Sequence, residues 1–315
     1  MRIIFMGTPD FAVESLRVLV EAGSEVVAVL TAPDKPAGRG KKLQQSPVKL
    51  YALENDIPVL QPTRLKNPDF LKELQSYKAD IQVVVAFRML PELVWNMPRL
   101  GTFNLHGSLL PQYRGAAPIN WAVINGEAET GVTTFFIEKE IDTGKIIYRE
   151  SIKILPEDSA GSLHDKLMVL GGKLVLKTVK SIIANEYPQT EQEEIDFLKP
   201  APKIFKEDCE IDWSKSTKEV YNFIRGLSPY PGAWSSFHNT ENGQKGALKV
   251  YQTEMLEADS HHTIPGQINT DNKSFFGVQT SDGLIAIKSL QIPGKKRLDI
   301  EDFLRGYDAT QIKLS

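Results

Sequence analysis

The residue types best suited to a reaction lie in one short stretch, NLHGSLLP at residues 104–111. A strand is predicted over residues 102–106, in which Asn104 and His106 are two positions apart and therefore point to the same face. Histidine exchanges a proton near neutral pH, and a carboxamide donates hydrogen bonds to carbonyl oxygens. A histidine near a strand end is also often a structural residue whose hydrogen bonds are satisfied in the core. The same-face asparagine and the turn-rich residues that follow favour a reactive site.

An aspartate that would assist this histidine, Asp142, lies in the sequence EIDTG between two predicted strands. Within reach of His106, its carboxylate would fix the tautomer of the imidazole ring. Turn aspartates commonly bond their own backbone instead. Spacing along the chain does not bring the two residues together. The residues alone therefore predict an α/β enzyme with an Asn, His and Asp site, and nothing more specific.

A second candidate site is the Gly- and Pro-rich sequence PDKPAGRGKK, which carries Lys35, Arg39, Lys41 and Lys42 against a single acid. Loops of this length in compact domains are usually functional or disordered. Since Lys and Arg neutralise phosphates, the loop predicts contact with a phosphate backbone, and a solvated charged loop is the alternative. The turn after the first predicted strand, GTPD, is not a GxGxxG pattern and gives little support to a dinucleotide site.

The elements that would position these residues alternate between strands and helices in the first half of the chain. This alternation predicts an α/β domain with a mostly parallel sheet, whose ligands bind beyond the carboxyl ends of the strands. The sequence IQVVVAF is apolar on both faces, as expected of a central strand. The predicted strands span residues 2–6, 25–31, 81–86, 102–106, 132–137 and 145–152, and the predicted helices span 11–22, 46–55, 69–76 and 162–184.

The second half of the chain has shorter elements separated by closely spaced turn residues. Short strands in this pattern suit a small antiparallel barrel or sandwich. We therefore predict a first domain over 1–188, a polar, proline-bearing linker over 189–205 and a β-rich domain over 206–315. The predicted helices here span 218–227 and 300–307, and the predicted strands span 233–237, 247–254, 266–269, 275–280 and 284–290.

Composition narrows the class of protein. The chain has 315 residues, 41% of them hydrophobic, which is enough for two domains with real cores. Its net charge of −3 means that any nucleic-acid site must be a local basic patch. The single cysteine, Cys209, excludes a disulfide framework, and no convincing metal-ligand cluster is present in the sequence. Because the apolar run at the N-terminus is too short for a signal peptide, we expect a soluble cytoplasmic protein.

Longer motifs resemble a known family. The stretch from residue 104 continues as QYRGAAP to residue 118 and resembles the 10-formyltetrahydrofolate-dependent formyltransferases. Further motifs follow in order along nearly the whole chain and are similar to one family among them, the methionyl-tRNA formyltransferases. These motifs are GTPDFA at 7–12, PDKPAGRGKKLQQSPVK at 33–49, ETGVT at 129–133, DTG at 142–144, IDWS at 211–214, PGAW at 231–234 and PGKK at 293–296.

The resemblance implies an activity and an architecture. The activity is transfer of a formyl group from 10-formyltetrahydrofolate to the α-amine of methionyl-initiator tRNA for translation initiation, without a metal. The architecture is a Rossmann-like catalytic domain followed by an OB-like barrel that binds tRNA, and we expect a monomer. The family's catalytic residues fall on Asn104, His106 and Asp142.

The resemblance also implies two binding sites. The pterin-lining segment of the family falls on AFRMLP at 86–91, which is one residue shorter than in many members. The implied folate contacts are Ser108, Leu109, Leu110, Pro111, Phe87 and Met89. The implied contacts to the acceptor end of the tRNA are Arg39, Lys41 and Lys42.

Two other functions fit parts of the sequence. Sugar-amine formyltransferases that act on nucleotide sugars resemble the chain in NLHGSLLP, but a small sugar nucleotide has no need of the basic loop. A folate- or RNA-binding protein without catalysis fits the barrel and the loop, but has no use for the Asn, His and Asp residues together.

Overall fold

The computed structural model describes residues 1–37, 42–256 and 264–314. Contacts along the backbone divide the chain into two compact units. The first unit contains residues 1–115, 129–152 and 164–200, and the second contains 116–128, 153–163 and the chain from 201 onward. Two short segments of the first half therefore belong with the second unit. Within the described ranges, no helix is both long and apolar enough to span a membrane.

The elements are numbered along the chain. The strands are β1 (Arg2–Gly7), β2 (Glu25–Leu30), β3 (Lys35–Ala37), β4 (Lys42–Gln44), β5 (Val59–Leu60), β6 (Ile81–Val85), β7 (Thr102–His106), β8 (Glu129–Phe136), β9 (Ile146–Lys153), β10 (Ala233–Asn239), β11 (Lys245–Leu256), β12 (Ile268–Thr270), β13 (Phe276–Gln279), β14 (Leu284–Gln291), β15 (Leu298–Asp299) and β16 (Ile312–Leu314). The helices are α1 (Asp10–Glu21), α2 (Pro47–Glu54), α3 (Pro68–Ser76), α4 (Glu92–Trp95), α5 (Pro118–Ile124), α6 (Ala160–Ala184), α7 (Thr217–Leu227) and α8 (Ile300–Leu304).

The first unit is built on one mostly parallel sheet, with strand order β5-β2-β1-β6-β7-β8-β9. The strands from β5 to β7 pair in parallel, and β8 pairs antiparallel with β7. Every residue of β6 is buried, as its apolar sequence predicts for a strand covered on both faces. The α/β prediction is confirmed, and the carboxyl ends of the parallel strands, including that of β7, share one edge of the sheet.

Helix starts follow signals that are present in the sequence. The Ser46 side chain accepts a hydrogen bond from the Lys49 amide at the start of α2, and Pro47 occupies the first turn. In α7, Ser216 and Glu219 form a reciprocal capping box. The Ser216 hydroxyl and amide both donate to the Glu219 carboxylate, which lowers the pKa of that carboxyl below its usual value. Helices α2 and α7 therefore begin where a side chain accepts a hydrogen bond from an otherwise unpaired amide.

The second unit is built on an antiparallel sheet with strand order β12-β13-β14-β11-β10-β16, and β15 pairs with β14. A register irregularity between Val250 and Thr253 in β11 bends the sheet. The two ends of the order, β12 and β16, contact each other, which nearly closes a barrel. Phe276 of β13 and Phe303 of α8 are in edge-to-face contact in its core, which also contains apolar side chains of α7. The prediction of a barrel-like second half is confirmed.

The interpretation of residues 33–42 as a loop is wrong at both ends. Lys35–Ala37 and Lys42–Gln44 pair antiparallel as β3 and β4. Strand β5, helix α5 and strand β16 were also not predicted. Segments this short contain too few alternations of apolar and polar residues for a period to be recognised, and their neighbours in the fold stabilise them instead.

Candidate active site

Strand β7 places Asn104 and His106 on one face of the first sheet. Asn104 is paired with Val84 of β6 on one side and with Phe135 of β8 on the other. The His106 side chain is only 7% exposed, whereas Asn104 is half-buried. Within the described part of the chain, the Asn104 carboxamide forms no hydrogen bond. Its amide group is therefore available to a bound molecule.

His106 is oriented by a main-chain carbonyl. Its Nε2 lies 2.8 Å from the Tyr113 carbonyl oxygen. Because a carbonyl only accepts, Nε2 must carry a proton. The other nitrogen, Nδ1, lies 3.9 Å from the Asp142 carboxylate, beyond direct hydrogen-bonding distance. Nδ1 is thus the ring nitrogen that faces the carboxylate and that can exchange protons.

The structure brings Asp142 beside His106, as its predicted role requires. Asp142 has a φ of 56°, in the left-handed region that Asp adopts more readily than most residues. Its carboxylate accepts a hydrogen bond of 3.0 Å from the Gly115 amide. Gly144 follows at a point where a Cβ atom would collide with the Phe136 carbonyl oxygen. The DTG sequence therefore allows a tight turn that sends one carboxylate towards the imidazole.

The SLLP segment forms a compact turn after β7. Thr133 ties it to β8, because its hydroxyl donates to the Ser108 carbonyl at 2.7 Å and accepts from the Leu110 amide at 3.1 Å. Ser108 is fully buried and donates its hydroxyl proton to the Gln112 carbonyl, and Leu110 is also buried. Of the four predicted folate contacts in this segment, Leu109 and Pro111 keep part of their surface exposed.

The segment after β6 holds the other two predicted folate contacts. Phe87 packs partly against the core beneath the sheet, whereas Met89 is 72% exposed. Between them, the Arg88 guanidinium donates to the carbonyls of Pro62 and Thr63 at 2.5 and 3.2 Å. Arg88 therefore ties the shortened segment to the neighbouring loop, and this contact was not predicted.

A cluster of polar and charged side chains fixes the chain directly before β3. Asp34 accepts hydrogen bonds from Gln61 at 2.7 Å and from Lys49 at 2.6 Å. These bonds, with that from Gln61 the larger cause, lower the pKa of the Asp34 carboxyl. Of the predicted tRNA contacts, Arg39 and Lys41 lie outside the described residues, and Lys42 begins β4.

The second unit contains a cavity of about 420 Å³. Among the described residues, its walls carry ammonium groups and aromatic rings but no carboxylate. Lys249 donates to the Pro231 carbonyl at 2.8 Å, and Trp234 donates to the Lys206 carbonyl at 2.9 Å. The basic and aromatic lining residues are Lys203, Lys206, Lys249, Tyr230 and Trp234.

Family models identify this chain as a formyl transferase, and solved structures share its fold. The model described as "Formyl transferase" matches residues 1–179, and "Formyl transferase, C-terminal domain" matches residues 203–308. A similar solved structure is WlaRD, a sugar 3N-formyl transferase, with a TM-score of 0.65 and 21% identity over 94% of this chain and 99% of that one. The N-formyltransferase from Helicobacter canadensis has a TM-score of 0.64 and 23% identity, covering 90% of this chain and 97% of its own. At these identities, the likeness shows the shared fold.

Curated relatives narrow the class. A methionyl-tRNA formyltransferase from Bacteroides fragilis is 57% identical over 314 residues, which cover 99% of this chain and 96% of the relative. One from Flavobacterium johnsoniae is 51% identical and covers 97% of this chain and 96% of its own length. The chain belongs to the methionyl-tRNA formyltransferase family.

Proposed function

We propose that the chain transfers the formyl group of 10-formyltetrahydrofolate to the α-amine of methionyl-initiator tRNA, giving N-formylmethionyl-tRNA for translation initiation. The observation that carries the proposal is the group formed by Asn104, His106 and Asp142 at the edge of the first sheet, where His106 Nδ1 lies 3.9 Å from the Asp142 carboxylate. Identity of 57% to relatives named for this activity supports it.

The site geometry suggests how these residues act. The neutral amine attacks the formyl carbon, and the carbonyl electron pair moves to oxygen. The Asn104 amide and a proton on His106 Nδ1 stabilise that oxyanion, since Nε2 is committed to the Tyr113 carbonyl. The intermediate then collapses and expels the folate nitrogen. Asp142, directly or through water, moves a proton from the amine to that leaving nitrogen.

The formyl donor is proposed to bind beside the same edge of the sheet. Its flat pterin suits backbone hydrogen-bonding groups and apolar surfaces. Leu109 and Pro111 offer such surface on one side, and Phe87 and Met89 follow the neighbouring strand β6. Ser108 and Leu110 act by shaping the turn, because both are buried.

The tRNA is proposed to contact both units separately. Arg39, Lys41 and Lys42 of the Gly- and Pro-rich sequence at residues 33–42 are proposed to approach the acceptor end. In the second unit, Lys203 and Lys206 beside the cavity supply positive charge without an acidic neighbour among its described walls. Ammonium groups neutralise phosphates, and aromatic rings stack on unpaired bases.

Replacing Lys203 and Lys206 together with alanine is expected to weaken tRNA binding and to flatten its salt dependence. The slope of log affinity against log salt, measured from about 50 to about 200 mM, should fall by about one unit for each lysine that contacts a phosphate. Lys313→Ala is the control, because Lys313 is an exposed lysine of the second unit outside the cavity. An unchanged slope in the double variant would remove the cavity from the tRNA site.

The runner-up is formylation of a nucleotide sugar, because sugar N-formyltransferases share the fold. The deciding experiment measures formyl transfer from 10-formyltetrahydrofolate to methionyl-initiator tRNA and to a nucleotide 4-amino sugar. We expect product on the tRNA only, and less of it after Lys41→Ala with Lys42→Ala. Product on the sugar only would overturn the proposed acceptor, and folate binding without turnover on either would overturn the assignment of an enzyme.

A further inference from the structure

The segment at residues 190–199 lies against the site in the first unit. At one end, Thr190 and Ile146 exchange backbone hydrogen bonds of 2.8 and 2.9 Å. At the other end, the Lys199 carbonyl accepts a bond of 2.7 Å from the Tyr113 amide. The Gln112 side chain also bonds the Lys199 amide at 2.7 Å. The segment is therefore fixed at Thr190 and at Lys199, on both sides of Gln192.

Both polar atoms of the Gln192 carboxamide form hydrogen bonds with residues beside the candidate site. Its Nε2 donates to the carbonyl oxygens of Asp142 and Gly144 at 2.8 and 2.9 Å. Its Oε1 accepts from Arg114, at 2.6 Å from Nη2 and 3.2 Å from Nε. The opposite orientation would set Oε1 against two carbonyl oxygens and the amide against a guanidinium, neither of which forms a hydrogen bond. The contacts therefore fix which way the carboxamide points.

These contacts hold the backbone of Asp142 from both sides of its turn. Asp142 is in the left-handed region, and its carboxylate accepts a hydrogen bond from the Gly115 amide. The two carbonyls that Gln192 binds flank Thr143, so they fix the turn rather than the carboxylate itself. Arg114 directly follows Tyr113, whose amide bonds the Lys199 carbonyl, and the Arg114 guanidinium sets the plane of the Gln192 amide.

We propose that Gln192 is a positioning residue for formyl transfer, and that Arg114 acts through it. Gln192 fixes the Asp142 turn so that the carboxylate stays beside His106 Nδ1. The inference rests on the proposed role of Asp142. A displacement of a catalytic group by about 1 Å can cost about a hundredfold in rate. A side chain that prevents such a displacement therefore contributes to turnover without touching substrate.

Gln192→Ala is expected to lower kcat by about 10- to 100-fold and to leave KM for the tRNA within about twofold, since Gln192 acts on the site and not on binding. Gln192→Glu keeps the length and the bond from Arg114, but sets a carboxylate against two carbonyl oxygens, and should lose at least as much. Gln189→Ala is the matched control and should retain wild-type kcat, because Gln189 is an exposed glutamine immediately before the segment.

A double-variant cycle tests the role of Arg114. Arg114→Met should lower kcat less than Gln192→Ala does, and the two changes together should cost no more than Gln192→Ala alone, because they act on one contact. Hydrogen exchange at the amides of residues 142–145 should speed up in all of these variants but not in Gln189→Ala.

The outcomes separate this inference from the proposed function. Wild-type protein that formylates no methionyl-tRNA contradicts the function, and the inference falls with it. Active wild-type protein with unchanged kcat in folded Gln192→Ala overturns the positioning role alone. If Gln192→Ala does not fold, Arg114→Met decides, and unchanged kcat and hydrogen exchange in that variant overturn the proposal.

Discussion

Replacing His106 with alanine is expected to lower kcat for formyl transfer by about 100-fold or more, because one donor to the oxyanion is lost. The imidazole lies between the Tyr113 carbonyl, 2.8 Å from Nε2, and the Asp142 carboxylate, 3.9 Å from Nδ1. Steady-state turnover with methionyl-initiator tRNA at saturating formyl donor measures the change. The melting temperature, measured in parallel, separates loss of chemistry from loss of fold.

His238→Ala is the matched control for this prediction. His238 lies half-buried on β10 of the second unit and is not one of the three residues proposed to be catalytic. It should keep wild-type turnover. Near-normal kcat in a folded His106→Ala protein would contradict the assignment of His106, whatever the fate of the other two residues.

Asn104→Ala is expected to lower kcat by about 100- to 1000-fold, because the carboxamide donates to charge that develops only in the transition state. KM for the formyl donor should change far less. Stability should also be nearly unchanged, because the Asn104 side chain forms no hydrogen bond in the described part of the molecule.

Asn104→Asp sharpens this test. The variant keeps the shape of the side chain, but puts a negative charge where an oxyanion would form, so its turnover should fall below that of Asn104→Ala. Asn55→Ala, at an exposed asparagine after α2, is the control. If Asn104→Asp retained turnover above Asn104→Ala, Asn104 would not be a donor to the oxyanion.

The sequence predicted the first sheet well because its strands carry strong periodic signals. β7 was predicted at its observed bounds because TFNLH alternates polar and apolar residues, and β6 was predicted to within one residue because IQVVV is a short, mostly apolar run. Strand β5 was missed because it has only two residues and is stabilised by pairing with β2. The local pattern of apolar and polar residues predicts a strand that crosses the core. It predicts poorly a short strand that is stabilised mainly by pairing with its neighbour.

The residues of the candidate site were also predictable only in part. Asn104 and His106 share a face by simple alternation, so their proximity was predictable. The approach of Asp142 was not, because it depends on a turn after β8 that packs against a distant loop. Gln192 gave no signal at all. It lies in a polar segment whose composition is typical of a linker, and its proposed role rests entirely on its tertiary contacts.

The domain bounds 1–188, 189–205 and 206–315 and the monomeric state stay predictions. Contacts place residues 116–128 and 153–163 with the second unit. In sequence, residues 116–128 lie between β7 and β8 of the first sheet, and residues 153–163 join the end of β9 to the start of α6, so no change of composition marks them. A division into consecutive stretches of sequence cannot describe units that are each built from several separate stretches.

In the proposed mechanism, the bond between His106 Nε2 and the Tyr113 carbonyl also determines which ring nitrogen exchanges protons in each reaction cycle. A ring flip would exchange that N–H for a C–H and leave a buried carbonyl without its donor, which is costly. Tyr113 cannot follow the ring, since its own amide is bonded to the Lys199 carbonyl. The imidazole therefore exchanges protons at one of its two nitrogens only. Every proton that it gains or loses passes through Nδ1, on the side of the Asp142 carboxylate.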